Sequence, residues 1–516
     1  MARVVARTVV DGNALGDWLR PRTDLLDEED VGDGVFRQRD GPFERYERRV
    51  ETEPVPDREG GTSFLVTQTV DFRLALPYFR FLFTPPVRSS LKRSGRDRAP
   101  WWAPPEHLDT GAANALGTLA ILAVAFGYLN TLFTQTIPFA GEEFGAGNSA
   151  QGVAGSLVRI GGVIALVIVA TADRRGRRKV ILGAAAAGCL LAVTGALAPS
   201  LGWLTASQML ARAFASALLV LVGIVAAEEM PAGSRAYAVS LLAMAGGLGA
   251  GACVTALNLA DLGPRGWRLL YVLPLLALPA VASTRHHLRE SRRYLTPHPR
   301  VPIAGHGGRL LLLAVSAMLA NVFMAPYSQF SNRFLRSELG FSGGRIGLFS
   351  VVVGTPAAIG IVAGGRIADV RGRRVVAAVA LVGGTTCTLG FFSSGGGWPL
   401  WVWATIGGVL SAASVPALGV YGPELFPTGL RGKANGLVAL TALVGSAIGL
   451  TGAGVMSDRF GSIGQAMAVL AAGPIILAVL VLVAYPETAR RRLEELNPED
   501  RPPGRDDDPS PDHGGS

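Results

Sequence analysis

Residues 172–178 read Ala172-Asp173-Arg174-Arg175-Gly176-Arg177-Arg178, and residues 368–374 read Ala368-Asp369-Val370-Arg371-Gly372-Arg373-Arg374. The second Asp stands 196 residues after the first. A different pattern keeps the same shift: Glu228-x-x-Pro231-x-Gly233-x-Arg235 returns as Glu424-x-x-Pro427-x-Gly429-x-Arg431. Two unrelated patterns with one offset mark a duplicated unit, far longer than the roughly 20–50 residues of a solenoid repeat.

Outward from these loops the chain turns apolar. Of 516 residues, 49% are hydrophobic and 17% charged, with a mean hydropathy of +0.35. Soluble domains carry about 25% charged residues, so this chain needs apolar surroundings. Between Ala113 and Tyr485 twelve apolar runs recur, at 113–138, 149–171, 180–199, 201–227, 236–260, 267–285, 309–332, 343–367, 375–394, 398–422, 434–456 and 463–485. Each is long enough, at about 1.5 Å per residue, to cross a hydrocarbon core of about 30 Å. The expected fold is an all-α membrane protein of twelve transmembrane helices in two parallel six-helix repeats, with halves 111–285 and 309–485 joined by a central loop, 286–308. Repeats of this kind are one of the layouts of secondary transporters, with a substrate site at the midplane between the halves.

Basic residues fix the orientation, because Lys and Arg in short loops stay on the cytoplasmic face. The loop after the second run alone holds Arg174, Arg175, Arg177, Arg178 and Lys179, whereas the loops on the other face hold little beyond Arg265, Arg268, Arg333, Arg336 and Arg459. Both termini are therefore expected in the cytoplasm, and the membrane is expected to be the cell's inner membrane. The start of the chain has no 7–15-residue apolar stretch of the signal-peptide kind, about what such a signal requires. Cys189, Cys253 and Cys387 all sit in apolar runs with no metal-ligand spacing and read as small core residues.

The loop Ala-Asp-Arg-x-Gly-Arg-Arg after the second and eighth runs resembles the signature loop of the major facilitator superfamily, and the resemblance covers roughly residues 110–490. Within that superfamily, Glu424-Leu425-Phe426-Pro427-Thr428-x-x-Arg431-Gly432, Glu290-Ser291-x-Arg293-Tyr294-Leu295 and Pro486-Glu487-Thr488 are similar to motifs of sugar porters and organic-ion transporters. The chain departs from sugar porters at Val169, where the family has glycine, at Gly419, where it has tryptophan, and in the seventh run, which lacks a double glutamine. The resemblance implies a major facilitator fold working by alternating access; the departures leave the substrate class open.

The repeated loops place Asp173, Arg177, Glu228, Arg235, Asp369, Arg373, Glu424 and Arg431 at cytoplasmic helix ends, where carboxylates can pair with guanidinium groups and latch one state. These arginines equally serve as topology signals. Deep within the runs only Arg159 and Arg212 are charged, a placement that costs at least about 2.5–3.5 kcal/mol each and so points to a functional or buried role. The family resemblance implies a packing role for Arg212, while Arg159 reads equally as cavity lining or as a partner for a helix carbonyl. Asn130, Gln135, Asn258, Asn321, Gln329 and Asn435 are neutral polar candidates for substrate contact, or for holding helices together. No Asp, Glu or His lies deep in a run; the nearest acids, Glu142, Glu143, Asp261, Glu338 and Asp458, fall at outer ends. This favours uniport or exchange over a midplane proton relay. Gly247-x-Gly249-x-x-Ala252 superficially fits a dinucleotide loop, but lies inside an apolar run and reads as helix packing.

Residues 1–110 form a cytoplasmic extension with 17 Lys/Arg and 19 Asp/Glu. Alternation in 42–56 and 62–74 predicts a β-hairpin around Asp57-Arg58-Glu59-Gly60-Gly61. Residues 76–98 mix apolar and aromatic residues with Arg80, Arg88, Lys92, Arg93, Arg96 and Arg98, and read as an amphipathic segment on the anionic inner leaflet or as a plain basic flank. Residues 486–516 read as a disordered tail. Taken together, the expectation is a monomeric transporter of a small organic solute, with positive potential around Arg159 and Arg212 favouring an anion. No cofactor, metal or nucleic acid is expected. A proton-coupled symporter and a transporter-derived sensor signalling through 1–110 are the alternatives; an enzyme is disfavoured, since neither tail holds a catalytic constellation.

Overall fold

Alternation in the extension produces more than a hairpin. In the computed structural model, which describes residues 2–56, 62–93, 100, 102–104, 106–231, 234–287, 305–419, 421, 425–426 and 428–487, five strands form one antiparallel sheet. They are β1 (Ala2–Asp11), β2 (Asp27–Gly32), β3 (Val35–Asp40), β4 (Phe43–Pro56) and β5 (Thr62–Leu74), in the order β1-β5-β4-β3-β2. The predicted hairpin is β4 and β5, with Phe43 opposite Leu74 and Pro56 opposite Thr62. Its turn and the tail beyond 487 lie outside the described residues. Helix α1 (Gly12–Leu19) starts at Asp11, whose carboxylate accepts from the Ala14 amide at 2.8 Å. Its Trp18 packs with Phe36, Val50 and Val66 of one sheet face. Helix α2 (Arg80–Leu91) covers the other face with Val87 and Leu91 against Leu26, Phe43, Val70 and Phe72.

Within residues 76–98, α2 therefore lays one face on the sheet. Only one side of α2 is free: Val87 and Leu91 are buried, whereas Phe81 is 75% exposed. An ionic knot fills the sheet's interior. The buried Arg48 guanidinium donates to Glu28 at 2.6 Å and to the Trp18 and Arg20 carbonyls, and Tyr46 donates to Glu28 at 2.6 Å. Burial, together with the Glu28 charge, pushes the Tyr46 phenol well above its ordinary range.

Beyond Thr110 twelve described helices are long and apolar enough to cross a membrane, and they follow the predicted runs closely. Spans 1 to 6 are Thr110–Glu143, Asn148–Ala172, Arg177–Leu197, Leu201–Ala226, Tyr237–Leu262 and Gly266–Arg285. Spans 7 to 12 are Gly307–Ser337, Gly343–Gly365, Arg373–Ser393, Gly397–Gly419, Ala434–Phe460 and Ile463–Ala484. All three cysteines are buried and unbridged. Of the glycine pattern in span 5, Gly249 is the packing position: a Cβ there would strike the Val124 carbonyl of span 1, while Gly247 faces open space.

The extension docks on the N-terminal half. Pro77 rests on Gly117 of span 1, where a Cβ would lie 2.8 Å from the proline ring. Thr110 donates to the Gly41 and Phe43 carbonyls, Tyr237 of span 5 to the Trp102 carbonyl, and Tyr78 to the Ala280 carbonyl of span 6.

Apolar cores show how the halves meet. At the end of the bundle distal to the extension, Leu129, Phe133 and Trp267 share one cluster with Phe330, Phe334, Phe391 and Leu450, so both halves contribute. At the extension's end there are two clusters. One holds N-terminal residues such as Leu116, Ile181 and Leu221 with Ala75 of the extension; the other holds only C-terminal residues such as Leu313, Phe426 and Val481. Among the described residues the halves share a core distally and have separate cores toward the extension.

Candidate solute path and distal gate

Span 2 carries Arg159 and span 4 carries Arg212, brought side by side because Gly161 lets span 2 approach the Met209 carbonyl of span 4. Arg212 donates to the Asn130 carbonyl of span 1 at 3.2 Å, and Arg159 donates to Ser328 of span 7 at 3.3 Å. Neither has a carboxylate at ion-pair distance among the described residues. Two uncompensated guanidinium groups thus stand mid-bundle, one of them reaching the opposite half.

The neutral candidates divide by what they touch. Gln135 of span 1 accepts from Asn332 of span 7 at 2.6 Å, and Gln329 of span 7, itself buried, donates to the Gln151 carbonyl of span 2 at 2.8 Å. Both tie the two halves together. Asn321 accepts from Ser446 within the C-terminal half, and Asn258 lies at the distal end with its carbonyl over Gly344. Asn130 meets Arg212 through its backbone, and Asn435 is exposed at the start of span 11, toward the extension.

What the sequence reading did not foresee is how the acids at the distal ends are used. Asp261, ending span 5, accepts the Gly343 and Gly344 amides at 2.6 and 2.7 Å, capping the N-terminus of span 8 in the other half. Asp458, near the end of span 11, accepts the Asn148 and Ser149 amides at 3.1 and 2.7 Å and the Ser149 hydroxyl, capping span 2 in the other half. Asp458 stands 197 residues after Asp261, within one residue of the duplication offset. Duplication has therefore built one latch twice: each half sends a carboxylate to the positive end of a helix in its partner. Glu142 of span 1 adds a cross-half ion pair to Arg336 of span 7 at 3.1 Å, and Arg333 of span 7 donates to Asn148. Glu143 stays within its own half, on Arg268 and Trp267, and Glu338 accepts from the Ile463 amide.

These contacts close the distal end. Farther in, Gly247 and Gly251 of span 5, Gly354 of span 8 and Gly436 of span 11 have open space beside them.

Of the residues read as a latch near the extension, the side chains of Asp173, Glu228, Arg235, Asp369, Glu424 and Arg431 lie outside the described residues. Arg177 and Arg373 are described, and both have partners. The Pro486-Glu487 motif has a visible role: Glu487 accepts the Arg373 and Arg374 amides at 3.1 and 3.4 Å, capping span 9. In the first half, Arg178 donates to the Arg285 carbonyl at the end of span 6, so the corresponding junction is tied by another bond.

The sequence profile of the Major Facilitator Superfamily matches residues 119–302 and 310–505. The chain belongs to the Major Facilitator Superfamily. Among solved structures, this superfamily member is similar to a bacterial homolog of the human lysosomal transporter Spinster, inward-facing and unoccupied, at 16% identity and a TM-score of 0.60, covering 72% of this chain and 95% of that one. It is similar to the inward open xylose transporter XylE from E. coli at 16% identity and a TM-score of 0.64, covering 74% and 98%. It is similar to the nucleoside transporter NupG at 12% identity and a TM-score of 0.62, covering 72% and 100%. At these identities the likeness speaks for the fold. Comparison with curated proteins finds no match.

Proposed function

We propose that this protein moves a small organic anion across the inner membrane by alternating access, as a uniporter or exchanger, with both termini and the extension in the cytoplasm. The observation that carries the substrate's charge is the pair Arg159 and Arg212, half-buried mid-bundle without a carboxylate among the described residues. In a low-dielectric cavity their potential is magnified, and a carboxylate or phosphate supplies the missing charge. The separate cores of the halves on the extension side support a path open to the cytoplasm, with the distal gate closed.

Arg159→Gln in reconstituted vesicles should lower uptake of a carboxylate-bearing solute about 10–100-fold, the loss of one charge-assisted hydrogen bond worth roughly 1.5–3 kcal/mol, and leave a neutral analogue nearly unaffected. Equal losses for both would assign Arg159 to packing. Because the deep path holds no described carboxylate or histidine, exchange should proceed with the proton gradient collapsed at constant membrane potential. A protonophore that abolishes exchange would instead make a gate carboxylate such as Asp261 or Asp458 a proton carrier.

The repeated loops on the cytoplasmic side serve, in this reading, as the opposite latch, closed when the distal gate opens. Reversing Asp173 or Asp369 to Arg should leave insertion intact and slow transport several-fold, since like charges would then face each other at the gate. Unchanged transport in both variants would leave those loops with topology alone.

A further inference from the structure

Span 6 is wound tightly through most of its length. Gly266–Tyr271 and Leu273–Ala277 are 3₁₀ turns, narrower than an α-helix, and only Leu278–His287 is α-helical. Beside the thin stretch lies an apolar slot of about 350 Å³, lined by Ile121 and Tyr128 of span 1, Cys189 of span 3, and Pro274, Ala277 and Ala280 of span 6. It exceeds the roughly 150 Å³ of a dry apolar cavity that takes up benzene. Leu276 on its rim is 77% exposed, so the slot reaches the lipid-facing surface.

Directly next to it, on the extension, runs a groove of about 1110 Å³ between β1 and α2. Its cations are Arg3, Arg80, Arg88 and Lys92, with Val5 and Phe81 exposed between them. Arg3 is paired with Asp71, and Arg80 with Glu44, which also serves Arg73. Arg88 donates only to the Arg3 carbonyl among the described residues, and Lys92 has no carboxylate partner there. Two cations are left over in a groove lined by no acid.

Tyr78 joins the two spaces. It lines the groove, and its hydroxyl meets the carbonyl of Ala280, which lines the slot, and the Ser283 hydroxyl. It holds φ at 66°, a left-handed conformation that costs a tyrosine about 1 kcal/mol or more and persists only where its surroundings impose it.

We propose that the slot and groove together bind one anionic phospholipid of the cytoplasmic leaflet, with an acyl chain in the slot and the phosphate group on Arg88 and Lys92. The lipid then cements the extension to spans 1 and 6. The arrangement rests on the topology proposed above, which places the groove at the leaflet rich in anionic lipid. Neither Arg159 nor the distal gate takes part, so this site and the transport reading stand or fall separately.

The full-length protein, purified and delipidated, is titrated with dioleoyl phosphatidylglycerol, with dioleoyl phosphatidylcholine and with glycerol 3-phosphate, read by thermal shift and by native mass spectrometry. Phosphatidylglycerol should raise the melting temperature and remain as one retained lipid, while the other two leave both readouts near their starting values. Arg88→Gln with Lys92→Gln should weaken phosphatidylglycerol about 30-fold, two surface cations at roughly 1 kcal/mol each. Ala277→Phe, which fills the slot without touching the charges, should abolish retention. Phosphatidylcholine binding as tightly as phosphatidylglycerol would overturn the headgroup assignment. Glycerol 3-phosphate matching the lipid would make this a soluble-anion site, and parent-like binding by the charge variant or the slot variant would remove the site.

Discussion

Asparagine at both Asp261 and Asp458 should open the distal gate. Each carboxylate holds two backbone amides of the opposite half's helix, at 2.6 and 2.7 Å for Asp261 and at 3.1 and 2.7 Å for Asp458, where the helix end is itself positive. Hydrogen bonds to a charged group contribute about 1.5–3 kcal/mol, against about 0.5–1.5 for neutral ones, and asparagine keeps one acceptor without the charge. A loss of about 1–2 kcal/mol per site follows. The two sites share no partner, so the losses should add to about 2–4 kcal/mol, a shift of roughly 30- to 1000-fold in the closed-to-open ratio. Ala447 of span 11 offers a reporter, because its carbonyl receives Ser156 across the closed interface at 3.0 Å. With Ala447→Cys as a probe, the double variant should react with a membrane-impermeant maleimide much faster than the parent, and each single variant should fall between them. The native cysteines are buried and should stay silent. Labelling at the parent rate would mean that Glu142, Arg336 and the shared apolar core hold the gate without the two caps.

The second large effect belongs to the extension. Glu28→Ala removes the partner of Arg48 while leaving the guanidinium inside the sheet, with Arg48 exposed by only 1%. Breaking a buried pair from one side costs about 3–5 kcal/mol, because the stranded charge is left without compensation. Small domains have a total stability of about 5–15 kcal/mol, so the extension should unfold at or near ambient temperature. Glu28 also accepts the Arg22 amide at 2.8 Å and the Tyr46 hydroxyl at 2.6 Å, so the loop after α1 and strand β4 lose a common anchor. Proteolysis after arginine should then cut within residues 1–93, while the membrane spans still insert. Glu28→Gln, which keeps the acceptor, should give an intermediate pattern. Parent-like resistance of Glu28→Ala would show that the two apolar faces of the sheet hold it together without the knot.

Length and apolarity are local properties of a chain in a bilayer, because every spanning backbone must bond within itself. For that reason the twelve helices, the duplication and the separation of extension from membrane body could be read from residues 113–485 alone. The hairpin was legible for a similar reason: β4 and β5 are long and alternate cleanly. Strands β1 and β2 were not. Both are edges; β2 is written Asp27-Glu28-Glu29-Asp30-Val31-Gly32, whose charge keeps an edge from pairing with other chains but erases the strand signal.

The candidate site divides in the same way. Arg159 and Arg212 stood out because a charge deep in an apolar run is rare, whatever surrounds it. Polar neutral residues carry no such mark. Whether Gln135 or Gln329 faces a cavity or a neighbouring helix depends on how each helix is rotated in the bundle, and in the structure both cross to the opposite half. The distal gate was hidden more deeply, since the partners of Asp261 and Asp458 are backbone amides, which every residue but proline possesses and no side-chain pattern reveals. Only their spacing, one residue from the duplication offset, was there to find. Sequence determined how many helices cross and where its two halves begin; tertiary packing decided which helix ends face each other, because that depends on contacts between segments about 80 to 310 residues apart.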